Sequence, residues 1–369
     1  MIVNFLTDTI QSNLSLLSKI IPTHSQIPVL SSILLEASED TLTLSSTDLE
    51  FGVQISVPAK VEEKGGILVP GKQFVETLSL LTHGKIRLAQ EKDQIVLTTD
   101  NSTFKFQVMP KEDFPRLFEE KGEKTSEFTN ERFRDIFSKL LFAVSTDEAR
   151  PHLTGIYMIK KDTGGIDYVA TDGYRMSLKR VAEDKNAESV AAGLILSPRL
   201  VSEGLSLKDP NGVSLFVHKG GSQAILETGG TTMVGRLIEG TYPDYEKVLP
   251  KGLITSIILK RAELLEVLRA TSVFARENAN VINLDIALGK LTIHVLSNNL
   301  GESKAMIEGV QTGDDNHIAF NIKFVLDFLK NTTGENITLQ VNSPFEPALF
   351  TTNDDNEFFH VIMPVRVQE

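Results

Sequence analysis

Residues 260–275 read KRAELLEVLRATSVFA. Leu264, Leu265, Val267 and Leu268, followed by Val273 and Phe274, recur at spacings of three and four, the period of a helix with one apolar face. The same pattern occupies Thr7 to Ile21 and Asn130 to Val144. Each of the three is followed by two β-like runs joined by a short polar turn: Ile33–Glu36 with Thr41–Ser45, Ile156–Ile159 with Tyr168–Thr171, and Ile282–Ile286 with Leu291–Val295. A strand leading into a second helix comes next, at Ile67–Pro70 into Gln73–Leu81, at Leu194–Pro198 into Leu200–Leu207, and at Ile318–Asn321 into Phe324–Leu329. Closing hairpins complete each unit: Ile86–Leu97 to Phe104–Met109, Val213–Leu226 to Thr232–Ile238, and Ile337–Leu349 to Phe358–Met363. The unit ends at Met109, Ile238 and Met363 lie 129 (238 − 109) and 125 (363 − 238) residues apart, close to one third of the 369-residue chain. A fixed period of this size reads as three copies of one α+β domain. Charged and Pro/Gly stretches near Lys121–Lys124 and Pro250–Leu253 place the domains at 1–122, 123–250 and 251–369.

Composition narrows the function. The chain is 41% hydrophobic and 23% charged, the balance of a globular protein with a buried core in each domain. It holds no cysteine, which excludes disulfide frameworks, thiolate metal centres, iron–sulfur clusters and thiol nucleophiles. No stretch approaches about 18 uninterrupted apolar residues, so no membrane span is expected. The start of the chain carries no basic segment followed by a long apolar run, and a cytoplasmic location is expected. The net charge is −12, and each third is acidic: 11 basic against 16 acidic residues, 16 against 18, and 10 against 15. Taken alone, that balance argues against nucleic acid.

A search for catalytic chemistry returns little. Gly220-Gly221 and Gly229-Gly230 sit in hairpin turns without the strand-to-helix setting of a phosphate loop. The seven histidines form no pair at helical ligand spacing, and Asp314-Asp315 and Asp354-Asp355 fall in loops rich in turn formers. No metal or cofactor is expected. Two segments stand out from plain core or turn. Thr171-Asp172-Gly173-Tyr174-Arg175-Met176 ends a strand, turns, and presents an aromatic, a cation and an apolar residue together. The tail Val361-Ile362-Met363-Pro364-Val365-Arg366-Val367 is apolar where chain ends are usually polar. Each alone also reads as a β-turn or a last strand. Apolar residues with an adaptable Met and a nearby Arg equally suit a groove for short peptides.

The threefold repeat, the length, the TDGYR turn, Tyr242-Pro243-Asp244-Tyr245 with Val248-Leu249-Pro250, and the terminal Met363-Pro364-Val365-Arg366 together resemble the bacterial DNA sliding clamps, the β subunit of DNA polymerase III. The resemblance covers the whole chain. It implies three repeated clamp domains, each with two helices packed on β-sheets. It also implies a head-to-tail dimeric ring whose helices line a hole holding double-stranded DNA. Such a ring slides because its contacts go to phosphates without reading bases. The partners implied are a second copy of the chain, the replicative DNA polymerase, a separate clamp loader, and other replication and repair proteins that carry clamp-binding peptides.

Residue by residue, the resemblance assigns DNA contact to Lys72, Arg150, Arg199 and, where relatives often carry Arg, His24. Lys139 and Lys323 also lie on or beside expected helices. A partner-peptide pocket would comprise Leu153, Thr171, Gly173, Tyr174, Arg175, Met176, Pro243, Lys247, Val248, Val361, Ile362, Met363, Pro364, Val365 and Arg366. Arg175 or Arg366 would meet polar or acidic groups of the peptide. The ring interface would join Phe104 and Phe106 to Val273 and Phe274 of the partner. A three-domain α+β enzyme and a monomeric peptide-binding scaffold remain as the competing readings.

Overall fold

Among the described residues amphipathic periodicity gives six α-helices: α1 (Asp8–Ile20), α2 (Gly71–Leu80), α3 (Asn130–Leu141), α4 (Pro198–Ser206), α5 (Arg261–Ala275) and α6 (Ile322–Asn331). A computed structural model of the chain describes residues 1–22, 26–81, 83–118, 120–162, 164–182, 193–207, 212–217, 222–297 and 300–366. In α6, Ile322, Val325, Leu326, Phe328 and Leu329 are buried while Lys323 and Lys330 face solvent. Asn321 caps that helix, its Oδ1 accepting from the Lys323 amide at 3.0 Å. In α5 the buried positions are Leu264, Leu268, Thr271 and Ala275, again one face.

Contacts divide the chain into two compact units. The first consists mainly of Met1–Phe133 with Arg199–Leu237. It contains a five-stranded sheet in the order 60–63, 2–6, 85–91, 94–98, 103–107. Its eight-stranded sheet is continuous across two repeats, because Thr231–Arg236 pairs antiparallel with Phe51–Pro58, setting Met233 opposite Val53. The second unit consists mainly of Arg134–Lys185, Val190–Pro198 and Ile238–Glu369. It repeats that device: Arg175–Val181 pairs antiparallel with Asp355–Ile362 inside a nine-stranded sheet, and a four-stranded sheet stands beside it. Each junction pairs backbone groups that would otherwise form an open sheet edge.

Every expected hairpin pair is present, from Ser32–Ser38 with Thr41–Thr47 to Val281–Ala287 with Lys290–Ser297. Each closing hairpin proves to be a three-strand meander, as in 85–91, 94–98 and 103–107. The strands that carry the junctions, Phe51–Pro58 and Arg175–Val181, are additional to the expected pairs.

Lys139 departs from its expected place. It lies 7% exposed, donating to Asp135 Oδ1 and Asp355 Oδ2 at 2.5 Å each, so it is a buried ion-pair member and not a free helix cation. Lys179, 1% exposed, completes the group with both Asp355 oxygens at 2.7 Å and Asp135 Oδ2 at 2.9 Å. Burial alone would raise the two aspartates, and the hydrogen bonds and charges of the lysines overcome it, holding both carboxyls below their ordinary range. This network ties α3 to the strand Asp355–Ile362.

Candidate functional site

Within the second unit the two unusual segments meet. Asp172 Oδ1 accepts the amides of Tyr174 and Arg175 at 2.9 Å each, while Thr171 Oγ1 donates to the Arg175 carbonyl at 2.6 Å. The turn requires glycine at position 173, where φ is +91° and an added Cβ would sit 3.0 Å from Arg150 Nη1. From this turn the strand Arg175–Val181 runs beside the C-terminal strand, pairing Met176 with Val361, and the Met363 amide extends the contact by donating to the Tyr174 carbonyl at 2.9 Å. A third wall comes from 242–248. Tyr242 stacks on Tyr157 with ring centroids 4.5 Å apart, and the Tyr245 hydroxyl donates to Asp167 Oδ2 at 2.8 Å. Burial pushes both phenols well above their ordinary pKa, so they stay neutral hydrogen-bond donors.

These walls enclose a cavity of about 280 Å³ with a largely apolar lining. Its size is that of a pocket for one or two side chains, and its opening is rimmed by Tyr174, 62% exposed, and Met363, 36% exposed. Ten of the fifteen residues proposed from sequence line it: Leu153, Thr171, Gly173, Tyr174, Arg175, Met176, Pro243, Val248, Val361 and Met363. His152 and Tyr245 line it too and were missed, although each lies in or beside a segment already singled out.

The other five lie elsewhere. Ile362 has no exposed surface and belongs to a core cluster with Phe350 and Phe358, as alternation along a strand demands of the neighbour of a pocket residue. It is a packing residue. Lys247 is solvent-exposed and pairs with Asp244 at 3.0 Å. Pro364 and Val365 are half-buried on the tail, with the Val365 amide donating to the Ala319 carbonyl at 2.8 Å, and Arg366 is exposed. Arg175 lines the cavity, but its guanidinium is occupied by Asp172, Asp327 and the Phe142 carbonyl, so it is not the free cation expected for a peptide carboxylate.

Family comparisons cover nearly the whole chain. Models of the DNA polymerase III beta subunit match in order: its N-terminal domain at residues 1–118, its central domain at 127–244 and its C-terminal domain at 246–366. The chain belongs to the DNA polymerase III β-subunit family, the bacterial sliding clamps. The beta sliding clamp of Chlamydia trachomatis is 29% identical over 95% of this chain and 83% of its own length. That of Synechocystis is 29% identical over 97% of each chain. A crystal structure of the DNA polymerase beta subunit from Streptococcus pyogenes superposes with a TM-score of 0.93 at 25% identity, covering all of both chains. As a clamp, the chain is a non-catalytic processivity factor built from three clamp domains.

The clamp's charge is unevenly distributed. Its six helices carry ten Lys or Arg against eight Asp or Glu, a balance of +2, which leaves −14 on the rest of the chain. Lys72 is exposed on the first turn of α2. Arg199, near the start of α4, is paired with Asp48 at 2.5 Å and lies over the Phe51 ring at 4.9 Å. Arg150 precedes the turn Pro151–Leu153 and is paired with Asp147 at 2.9 Å. Its Nη2 reaches the Asp172 carbonyl at 3.4 Å, which puts it at the cavity turn and not on a helix face. His24 lies outside the described residues.

Phe104 and Phe106 lie on Thr103–Gln107, an edge strand of the five-stranded sheet, and both are half-buried. Phe106 packs edge-to-face on Phe74 at 5.4 Å, so it serves its own domain's core as well. Val273 is 52% exposed on α5, whereas Phe274 packs on the neighbouring core cluster. Among the described residues no group of three or more His, Asp or Glu is placed to hold a metal ion, and no helix is long and apolar enough to cross a membrane.

Proposed function

We propose that two copies of this chain close head to tail into a ring around duplex DNA in the bacterial cytoplasm, with repeats 1–122, 123–250 and 251–369 as its domains. The apolar cavity takes the peptide tails of the replicative polymerase, the clamp loader and other replication and repair proteins. The observation that carries the pocket is the meeting of the TDGYR turn with the C-terminal strand, Met176 beside Val361, around an apolar cavity. Aliphatic anchors of a peptide would fill it, and Gly173 would let the peptide backbone approach. Arg150 beside the Gly173 turn, Arg366 on the tail and the exposed Lys247 are cations that would meet acidic groups of the peptide. Pro364 and Val365 extend the tail wall.

Closure would join the edge strand bearing Phe104 and Phe106 to Val273 and Phe274 of a second copy, removing an exposed sheet edge. Val273→Asp is the clean variant, because this side chain is exposed and Phe274 is tied to its own core. Sedimentation is expected to show a dimer for the wild type and a folded monomer for Val273→Asp. The ring itself is tested by topology. Wild-type protein loaded on a nicked circle is expected to remain bound and to run off after linearisation, while Val273→Asp is retained on neither. Equal retention on circular and linear DNA would favour a scaffold that does not encircle.

For the inner wall we propose Lys72 and Arg199 as phosphate contacts. Each is expected to act uniformly across sequences, with Lys72→Ala and Arg199→Ala each reducing the slope of log affinity against log salt by about one. An unchanged slope would place that residue away from DNA.

A further inference from the structure

Arg175 joins three segments through one planar group. Its Nε donates to Asp172 Oδ2 at 3.1 Å, its Nη1 to Asp327 Oδ2 at 2.7 Å, and its Nη2 to the Phe142 carbonyl at 2.7 Å. The guanidinium is stacked over Phe324 at 4.7 Å and Phe142 at 5.6 Å. Asp327 and Phe324 belong to α6, and Phe142 immediately follows α3. The side chain is 10% exposed, and the same residue lines the cavity and opens the strand that pairs with the C-terminal strand.

We infer that Arg175 is a positioning residue that couples occupancy of the cavity to α6. The inference rests on the reading of the cavity as a peptide site. A guanidinium presents its donors in a rigid fork, so its three partners cannot shift independently. A peptide packed against Met176 and Arg175 holds the start of the strand in place, and the Asp327 pair transmits that restraint to α6. The solvent face of α6 carries Lys323 and Lys330, four residues before and three after Asp327. A duplex drawn to those lysines restrains the same helix. The ligand that binds second then meets an α6 whose position is already restrained, so the two favour one another by a common factor.

The test is a thermodynamic cycle on the full-length dimer. A fluorescent peptide carrying Leu and Phe anchors is titrated against the free ring and against the ring loaded on a nicked circular plasmid. The wild type is expected to bind the peptide about fivefold more tightly when loaded. Asp327→Asn keeps the side-chain shape, removes the charge pair at a part-exposed position, and is expected to bind peptide normally when free, with a loaded-to-free ratio near one. A wild-type ratio of one, or a variant that keeps the wild-type ratio, overturns the coupling. Absence of peptide binding by the free wild-type ring overturns the pocket reading and the coupling with it. A melting temperature equal to wild type, measured in parallel, excludes a general loss of structure as the source of the variant's altered ratio.

Discussion

Lys179→Met is expected to lower the unfolding free energy by about 3–5 kcal/mol, the cost of removing one partner from a buried ion pair. Lys179 reaches Asp355 with both oxygens at 2.7 Å, Asp135 at 2.9 Å and Glu357 at 3.5 Å. Without it, Lys139 is the buried lysine left to hold Asp135 and Asp355, each at 2.5 Å. Methionine keeps the length of the stem, so the loss measures charge and hydrogen bonding more than volume. Urea unfolding at pH 7 checks the magnitude, and a loss below about 1 kcal/mol would mean that water replaces the lysine at little cost.

The acid limb separates this network from its neighbour. Asp135 and Asp355 titrate below their ordinary range when folded, so their stabilising contribution is complete above about pH 4 and disappears as pH falls through the lower folded values. His360 acts earlier. It is fully buried among Phe142, Phe328 and Phe358, and its ring Nδ1 is 2.8 Å from Ser177 Oγ. Burial, with the Arg175 charge nearby, pushes its pKa down to about 3. An unfolded histidine protonates near pH 6.5, so stability falls as pH drops from there toward 3. Lys179→Met should therefore flatten the stability profile below pH 4 and leave the slope between pH 6 and 4 unchanged. A variant that keeps the wild-type slope below pH 4 would show that the Asp135 and Asp355 pairs do not carry that limb.

Much of this architecture was legible because its signals are local. The stretch 260–275 displays its buried face in its own spacing, and α5 spans 261–275. The hairpins likewise announce themselves by two apolar runs and a short turn. What could not be read is pairing across repeats. Phe51–Pro58 alternates like an ordinary strand segment, and nothing in it names Thr231–Arg236 as its partner. Lys139 illustrates the same limit for charge: it sits where a helix cation would face solvent, and its partner Asp355 lies 216 residues away. The pocket was legible as two odd segments, but its floor depended on strand register. Register turns Val361 and Met363 toward the cavity and sends Ile362 into the core. Arg175 shows the same limit, since sequence displays a cation beside a turn and conceals the acid on α6 that pairs with it.

Deleting the chain from Met363 onward is expected to reduce affinity for a polymerase-tail peptide by at least about a hundredfold, or about 2.8 kcal/mol, and to leave the dimer intact. The strand Asp355–Ile362 keeps its pairing with Arg175–Val181, because the last paired residue, Ile362, is retained. The fold of the second unit therefore survives the cut, which removes only two tail hydrogen bonds of the described residues, Met363 N–H to Tyr174 and Val365 N–H to Ala319. Met363 forms one wall of the 280 Å³ cavity, and burying a methionine or leucine side chain contributes about 1.5–3 kcal/mol, so losing the wall exposes the peptide anchor to water. Met363→Ala should lose less, about tenfold, since the backbone contact to Tyr174 remains to hold the rim in place. The residues proposed for ring closure, Phe104, Phe106 and Val273, are in other elements, so sedimentation should report the wild-type mass for both variants. Fluorescence anisotropy with a labelled peptide gives the affinities. Undiminished binding by the truncated ring would place the peptide site outside this cavity, whereas loss of binding together with loss of the dimer would show that the tail acts through assembly.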